Sequence, residues 1–345
     1  MTMRGDARKV SEKGGTMQSR IATLVSPKIL EWDVVQLPDT PPTPKDVVCR
    51  TKVSCISPGT EIAAFTGMDP LRPGPVYPRL VGYCNVAEVL EVGSEVAKAR
   101  VGDYILTHQS HRSAFITHED NILAHVSDKI DLAQASSTYL FHLAYSALLR
   151  SKFAPGHKVA VVGAGTLGLA AIALATASGA EVVAYSSQPN VADRATSFGA
   201  RAVLQKADES QDGTADILIS TSNTWEDWHC ALRAASPGGT IAILGFPGRG
   251  VGPAQFNPLA SQYVYDKQLT LVACGQVPNL DVSPLHIRFT LKRNMEWLLS
   301  LVANGRLPAH LMVSEVVPAA NLEKIYERLA NRDQSLVTAA LEWEN

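Results

Sequence analysis

The spacing of apolar residues changes character near the middle of the chain. From Ile21 to about Val126, apolar residues come in short runs that proline and glycine interrupt. Clear examples of such runs lie at 46–54, 85–92 and 103–107. Short runs between turn-forming residues predict short, strongly bent strands, which is typical of a partly open β-barrel.

Beyond Leu132 the pattern becomes one of helices alternating with continuous apolar runs. Helices are predicted at 133–151, 167–178 and 191–198. Strands are predicted at 158–162, 181–185, 202–204, 216–220, 240–244 and 268–273. Fully apolar strands between helices indicate a parallel sheet that is buried on both faces. We therefore predict an α/β protein with a doubly wound parallel sheet.

In the last part of the chain, the regular alternation of helices and strands ends. Helices are predicted at 293–303 and 319–330, and a strand at 336–341. The simplest arrangement is a discontinuous first domain that wraps an inserted α/β domain. The 345 residues are ample for two such cores.

The composition excludes some classes of function but does not identify one. Hydrophobic residues make up 46% of the chain and charged residues 19%, and the net charge is −2, so neither nucleic acid nor a membrane surface is an expected partner. No apolar run approaches the roughly 18 residues that a membrane span needs. Residues 1–20 are polar and lack the apolar centre of a signal peptide, so we predict a disordered tail and a cytoplasmic protein.

A glycine-rich turn at 163–168 points to a nucleotide. The sequence Gly163-Ala-Gly165-Thr-Leu-Gly168 follows a predicted strand and opens a predicted helix, which is the context that a dinucleotide-binding turn requires. Gly163 allows the tight turn, Gly165 lets the backbone approach a pyrophosphate, and Gly168 lets helix and strand pack closely. Thr166 and Leu167 begin the helix, whose free N–H groups would face the phosphates.

The end of the second strand of this sheet suggests NADP(H) as the cofactor. An NAD site has an acidic residue there that bonds the ribose 2′-hydroxyl. Here the strand ends in Ser186-Ser187, and Arg194 follows about two helical turns later. Two hydroxyls and a guanidinium suit a 2′-phosphate, although Arg194 would serve equally well as a solvated helix residue.

Several short motifs, in this order and spacing, resemble the medium-chain dehydrogenase/reductase superfamily. They are Val81-Gly82, Val89-x-x-Val-Gly93, Gly102-Asp103, Leu143-Ala-Tyr145, the glycine turn, Phe198-Gly-Ala200, Pro237-Gly-Gly239 and Leu244-Gly245. The resemblance implies a GroES-like catalytic domain, 21–142 and 277–345, split around a Rossmann cofactor domain, 143–276. It also implies an active site in the cleft, with Ser57, Thr60, Thr221 and Gly245 near the cofactor. A homodimer or homotetramer is expected, with 268–273 as the candidate edge strand.

The same resemblance raises the question of zinc. Zinc-bearing members carry a Cys near position 57 and a Gly-His-Glu where this chain has Gly82-Tyr83-Cys84. Serine and tyrosine are poor zinc ligands, so we predict that no metal is bound. The alternative is a site improvised from Cys55, Cys84 and a histidine. The five cysteines include no CxxC pair, which argues against a structural zinc lobe.

The segment Ser57-Pro-Gly-Thr-Glu61 is similar to a Ser-x-Gly-Thr-Glu motif of a zinc-free branch that includes bacteriochlorophyllide hydroxyethyl dehydrogenases. This short motif supports the branch better than it supports that substrate. Within the branch, a dehydrogenase or ketoreductase of a specialised metabolite is the leading interpretation. A quinone or enone reductase is the first alternative, and a nucleotide-binding protein without turnover is an alternative of another class.

Reduction of a simple ketone without a metal needs a hydrogen-bond donor for the developing oxyanion. Three candidate catalytic residues are Tyr83, at the former ligand position, His142, at the domain junction, and His111, where the barrel should line the cleft. Each would serve equally well as a packed or surface residue. Conjugated enones and quinones need no such donor, because they delocalise the negative charge themselves.

Overall fold

The computed structural model describes residues 16–68, 76–188, 191–275 and 289–344. The strands are β1 (Thr16–Ser26), β2 (Ile29–Pro38), β3 (Asp46–Cys55), β4 (Arg79–Leu80), β5 (Cys84–Val92), β6 (Tyr104–Thr107), β7 (Ala114–His118), β8 (Ala124–Val126), β9 (Lys158–Val162), β10 (Glu181–Tyr185), β11 (Ala202–Leu204), β12 (Ala215–Ser220), β13 (Ala235–Ile243), β14 (Thr270–Ala273), β15 (Val313–Pro318) and β16 (Thr338–Glu342). The helices are α1 (Pro58–Thr66), α2 (Leu132–Ser136), α3 (Thr138–Arg150), α4 (Thr166–Ala177), α5 (Val191–Ser197), α6 (Trp225–Ala234), α7 (Ser261–Val264), α8 (Leu291–Ala303), α9 (Ala309–Met312) and α10 (Leu322–Ala330).

The parallel sheet has the strand order β11-β10-β9-β12-β13-β14. Numbered within this sheet, the order is 3-2-1-4-5-6, which defines the doubly wound dinucleotide-binding fold. The order reverses between β9 and β12, so a crevice opens there at the carboxyl ends of the strands. The predicted fold class is confirmed.

The second large sheet joins distant parts of the chain. Its order is β15-β16-β3-β5-β6-β8, with β7 also pairing β3. The antiparallel pairing of β16 with β3 places Leu341 opposite Ser54. The carboxyl-terminal strands therefore complete the barrel-like sheet that the first part of the chain begins.

Two segments differ most clearly from the sequence predictions. The predicted tail 1–20 extends too far, because β1 begins at Thr16 and pairs with β2, and Ser19 Oγ donates to Ala114 O at 2.6 Å. Residues 1–15 lie outside the described residues. The single predicted helix 133–151 is two helices, α2 and α3. Consecutive hydroxyls at 136–138 each donate to a carbonyl three residues earlier, and this local bonding competes with a continuous helix.

Candidate active site

Three hydroxyl side chains meet at the beginning of α1. Tyr83 O–H donates a hydrogen bond to Ser57 Oγ, and Thr60 Oγ1 lies 3.3 Å from the same phenol oxygen. Ser57 is the N-cap residue of α1 and is buried, whereas Thr60 is exposed and Tyr83 is half-buried. The structure thus brings the candidate catalytic residue Tyr83 together with Ser57 and Thr60, which were predicted to lie near the cofactor. Of the three, Thr60 is the residue that is exposed to solvent.

Aromatic rings enclose this hydroxyl group. Tyr139 packs edge-on against Tyr83 with ring centroids 5.6 Å apart, and it stacks on His142 at 5.3 Å. His108 also packs edge-on against Tyr139, with ring centroids 4.4 Å apart, and its Nδ1 lies 3.2 Å from the Tyr83 carbonyl oxygen. Tyr139 and His108 were not among the predicted site residues. The cluster therefore combines apolar ring faces with a few polar atoms, as small-molecule sites do.

His142 lies on the inner side of this cluster and is 1% exposed. Its Nε2 is 3.4 Å from Asn294 Nδ2, and its Nδ1 has no hydrogen-bond partner among the described residues. Burial, with a smaller contribution from nearby His108, lowers the pKa of His142 to about 4. His142 is therefore neutral near pH 7, and its buried ring contacts Tyr139.

The lowered pKa of His142 predicts a loss of stability in mild acid. In the unfolded chain an imidazole takes up a proton near pH 6.5, while in the folded protein it does so only near pH 4. The unfolded state binds more protons between these values, so stability falls as pH decreases through this window. At pH 5 this loss should be about 2 kcal/mol relative to pH 7. Urea unfolding of the wild type and His142→Gln at both pH values measures it. An equal loss in the two proteins would contradict the assignment.

Behind the hydroxyl group, Glu61 accepts three hydrogen bonds in the interior of the barrel. Its Oε1 accepts from Ser57 N–H at 2.7 Å, and its Oε2 accepts from Tyr326 O–H at 2.5 Å and lies 2.9 Å from His111 Nε2. Glu61 is 2% exposed. By accepting from Ser57 N–H, the buried Glu61 carboxylate fixes the position of Ser57, whose hydroxyl accepts the hydrogen bond from Tyr83.

The prediction that His111 lines the cleft is wrong. Its ring is fully buried, with Nε2 at Glu61 and Nδ1 2.8 Å from Ser54 Oγ. Backbone bonds from His111 N–H to Val81 O and from Ala22 N–H to His111 O hold this segment between strands. His108, three residues earlier, reaches the cleft instead. Both histidines stand in one short segment, and its pattern does not reveal which one faces inward.

The glycine turn has the geometry that a dinucleotide requires. Gly163 has φ of 94°, which favours glycine, and a Cβ on Gly168 would lie 1.8 Å from Gly163 O. Gly165 caps α4 and is exposed, and Leu167 lies in the first turn of the helix. Such a cradle fits the pyrophosphate of a bound nicotinamide dinucleotide.

Three side chains connect this turn to its surroundings. Thr221 Oγ1 donates to Gly163 O at 2.9 Å, so it supports the turn from the end of β12. Thr166 Oγ1 donates to Val337 O at 2.7 Å, and Arg194 donates to Gln334 O. Both bonds link the cofactor domain to the segment that leads into β16. Arg194 is thus a bridging residue here, and its bond uses one of the five N–H groups that it carries.

The strand ends around the crevice differ in exposure. Ser186 is buried and its Oγ accepts from Gln188 N–H at 3.2 Å, whereas Ser187 is exposed at the end of β10. Gly245 lies where the loops after β12 and β13 approach each other, since a Cβ there would be 2.5 Å from Ser222 O. Ser186 and Ser187 therefore follow β10, and Gly245 follows β13, on the two sides of the point where the strand order reverses.

The donor set at the former ligand positions does not fit zinc. Ser57 Oγ accepts from Tyr83, and the thiols of Cys55 and Cys84 are buried on neighbouring strands. Burial raises the pKa of Cys55 to about 12 and that of Cys84 well above its usual value, which disfavours the thiolate that binds metals. Across the described ranges, no three His, Cys, Asp or Glu side chains are grouped as a metal site would need.

Comparisons with known proteins point to dehydrogenases and related oxidoreductases. A family model described as "Zinc-binding dehydrogenase" matches residues 166–280. L-galactonate-5-dehydrogenase of Escherichia coli (strain K12) is 24% identical over 355 residues, covering 91% of this chain and 96% of the relative. A quinone oxidoreductase of Pseudomonas aeruginosa is 26% identical over 241 residues, covering 66% of this chain and 72% of the relative.

Solved structures show the same fold. The crystal structure of 2R,3R-butanediol dehydrogenase from Bacillus subtilis superimposes with a TM-score of 0.76 at 19% identity, covering 95% of this chain and all of that one. Together, these similarities show that the chain resembles dehydrogenases and other oxidoreductases over most of its length and shares their fold. Within the described residues, no helix combines the length and apolar character that crossing a membrane requires.

Proposed function

We propose that the protein is a zinc-independent, NADPH-dependent oxidoreductase that interconverts a carbonyl compound and its alcohol. The observation that carries this proposal is the hydrogen bond between the Tyr83 and Ser57 hydroxyls. The resemblance to medium-chain dehydrogenases implies that these residues stand near two of the positions where zinc-bearing members hold metal ligands. A phenol hydrogen bond would replace the metal as the group that stabilises negative charge on the substrate oxygen.

The ionisation state of Tyr83 suits a donor. Burial raises the pKa of Tyr83 above its usual value, so the phenol keeps its proton at physiological pH. As charge develops on a substrate oxygen, Tyr83 O–H would turn from Ser57 Oγ to that oxygen. Ser57 O–H can then donate to the phenol oxygen, and exposed Thr60 leads to solvent. A bound nicotinamide cofactor supplies the reducing equivalent.

A second candidate function is the reduction of a quinone or enone. The exposed His108 and half-buried Tyr139 place aromatic rings beside Tyr83, and such an aromatic surface would suit a flat conjugated substrate. The quinone oxidoreductase relative is consistent with this alternative. Such substrates delocalise their own charge, so they would depend little on the Tyr83 hydroxyl.

The proposal is tested by steady-state turnover of EDTA-dialysed protein with NADPH, using matched ketones and enones. We expect ketone reduction that EDTA leaves unchanged and that added zinc does not raise. Turnover of enones alone would favour the second function. Loss of activity on dialysis with recovery on adding zinc would overturn metal independence. Nucleotide binding with no turnover of any acceptor would favour a non-catalytic role.

The proposed preference for NADPH rests on the residue that follows β10. An NAD site normally has a carboxylate there, whereas this chain has the exposed Ser187. Ser187→Asp should weaken NADPH binding at least tenfold, because a carboxylate repels the 2′-phosphate, and should leave NADH binding equal or tighter. Fluorescence titration with each nucleotide measures this. Ser300→Asp, on the exposed face of α8, is the matched control for added charge. An unchanged NADPH-to-NADH ratio in Ser187→Asp would place the ribose elsewhere.

We also propose that the protein assembles as a homodimer or homotetramer. The strand β14 forms one edge of the parallel sheet, so its outer backbone groups can pair with a second copy. Light scattering after size exclusion would determine the assembly. A Pro substitution at Ala273, whose N–H points away from β13, should dissociate an assembly that uses this edge.

A further inference from the structure

The loop after β13 carries an arginine without a counter-charge. The Nε atom of Arg249 is buried and has no hydrogen-bond partner among the described residues. Its guanidinium carbon lies 5.2 Å from the ring centroid of Phe246, which is 62% exposed. Buried polar groups are normally hydrogen-bonded, and a cation that is partly removed from water is stabilised by an anionic partner. Within the described residues, the protein supplies no such partner to Arg249.

A second arginine lies near the first. Partial burial and the nearby charge of Arg79, which stands on β4, lower the pKa of Arg249 below its usual value. A guanidinium keeps its proton at physiological pH, so the two side chains stay charged and repel each other. Neither forms an ion pair with a carboxylate in the part of the chain that the structure describes. An anion bound by both would remove this repulsion.

The loop 246–250 reaches across the cleft between the two domains. Gly248 N–H donates to Asn223 O at 2.7 Å, which holds the loop beside the connection that follows β12. At its other end Gly250 contacts Met68, just beyond α1, since a Cβ on Gly250 would lie 2.8 Å from Met68 Cγ. The loop therefore connects the cofactor domain to the helix whose beginning carries the hydroxyls of the candidate active site.

Arg79 approaches the same cleft from the barrel side. It stands four residues before Tyr83, so the two Cα atoms are at most ~14 Å apart. Burial and Glu61 raise the pKa of Tyr326, and the charge of Arg79 opposes this rise, so Arg79 also lies near the hydroxyl that donates to Glu61. The Glu61 carboxylate is already engaged in three hydrogen bonds, and it forms no ion pair with Arg79.

We propose that Arg79 and Arg249 bind an anionic group, a carboxylate or a phosphate, at the end of the carbonyl substrate that lies away from Tyr83. This inference rests on the proposed function, because it assigns the other end of the same substrate. The ring of Phe246, beside Arg249, contacts the apolar part between the two ends. The reaction then interconverts an anionic ketone and the corresponding anionic alcohol. Hydride from NADPH goes to the carbonyl carbon and a proton to its oxygen, while the anionic group is unchanged.

Binding without turnover tests the site directly. The probes are hexanoate, hexyl phosphate and the neutral hexan-1-ol, titrated into the full chain saturated with NADPH and followed by ligand-observed NMR. We expect the better of the two anions to bind about tenfold more tightly than the alcohol, because hydrogen bonds between charged groups are the strong ones. Whichever anion binds more tightly identifies the group that the substrate carries.

The two arginines should each contribute to this preference for an anion. Arg249→Gln should abolish it, and Arg79→Gln should reduce it about threefold or more, while both variants bind NADPH as the wild type does. Arg100→Gln is the matched control, because Arg100 is exposed on the turn before β6. It should keep the full preference. Thermal melts of each variant show that a loss of probe binding is not a loss of folding.

Turnover tests the same site with a reactive substrate. The kcat/KM for 6-oxoheptanoate should exceed that for its methyl ester about tenfold, mainly through KM, because the anion is bound alike in the ground and transition states. Arg249→Gln should bring the acid to the level of the ester.

Three outcomes would overturn the anion site. They are equal binding of all three probes, an equal loss of preference in Arg100→Gln, and a loss of NADPH binding in Arg249→Gln as large as the loss of anion binding. In the last case Arg249 would bind a phosphate of the cofactor. If anions bind through Arg249 but no carbonyl compound is reduced, the proposed oxidoreductase function fails and the anion site stands. If ketones are reduced without any preference for an anion, the anion site fails and the function stands.

Discussion

Tyr83→Phe is expected to lower kcat for ketone reduction about 100-fold or more, while NADPH binds as tightly as before. Removing one donor from an oxyanion site typically costs a factor of ~100 to ~1,000 in kcat, because the donor acts only as charge develops. The phenylalanine ring retains the contact with Tyr139, so the aromatic cluster should persist. Stopped-flow or steady-state assays with a saturating ketone measure the effect.

Tyr104→Phe is the matched control for this substitution. It removes one phenol hydroxyl from the barrel-like sheet, at the first residue of β6, where Tyr104 pairs with Glu88 and Val126. It should retain full kcat. If Tyr83→Phe keeps more than a third of the wild-type kcat for ketones, the Tyr83 hydroxyl does not stabilise the transition state. Enone reduction should be much less sensitive to Tyr83→Phe, so comparing both substrates separates the two candidate functions.

Glu61→Gln is expected to destabilise the protein by about 4 kcal/mol, a large part of the ~5–15 kcal/mol that domains possess. The carboxylate accepts from Ser57 N–H, His111 and Tyr326 O–H without access to water. An amide replaces one acceptor oxygen by a donor, so at least one of these buried donors would lose its partner. Urea unfolding at pH 7 measures the change in the free energy of unfolding.

Two further variants give smaller expected losses of stability with which the loss in Glu61→Gln can be compared. Tyr326→Phe removes a single donor to the carboxylate and should cost about 2 kcal/mol, which is less than Glu61→Gln. Glu31→Gln, an exposed glutamate on β2, should change stability by less than about 0.5 kcal/mol. If Glu61→Gln is no more damaging than Glu31→Gln, the three buried bonds do not stabilise the barrel.

The hydrogen bonds of Glu61 also explain how the segment Ser57-Pro-Gly-Thr-Glu61 can position the Tyr83 hydroxyl. Ser57 receives the bond from Tyr83 and, through its backbone N–H, is held by Glu61 one helical turn later. Thr60, between them, remains exposed beside the phenol. Residues four apart on a helix share a face, so one short segment can orient both the acceptor and its buried support. Glu61→Gln should therefore also reduce kcat, even in the folded fraction.

Sequence alone determined the doubly wound sheet, the dinucleotide turn and the departure from zinc ligands at Ser57 and Tyr83. These features depend on local patterns: apolar strands alternating with helices, glycines at fixed offsets, and residue types at two positions. Each of these patterns depends on residue types and their spacing along the chain, so each can be recognised without knowing how distant segments pack.

The arrangement around Tyr83 was decided only by the tertiary structure. His111 turned inward and His108 outward because bonds to Val81 and Ala22, from distant strands, hold the segment between them. Glu61 meets Tyr326 across 265 residues of sequence. Such contacts depend on which segments become neighbours after folding, and a pattern of single residues does not encode that.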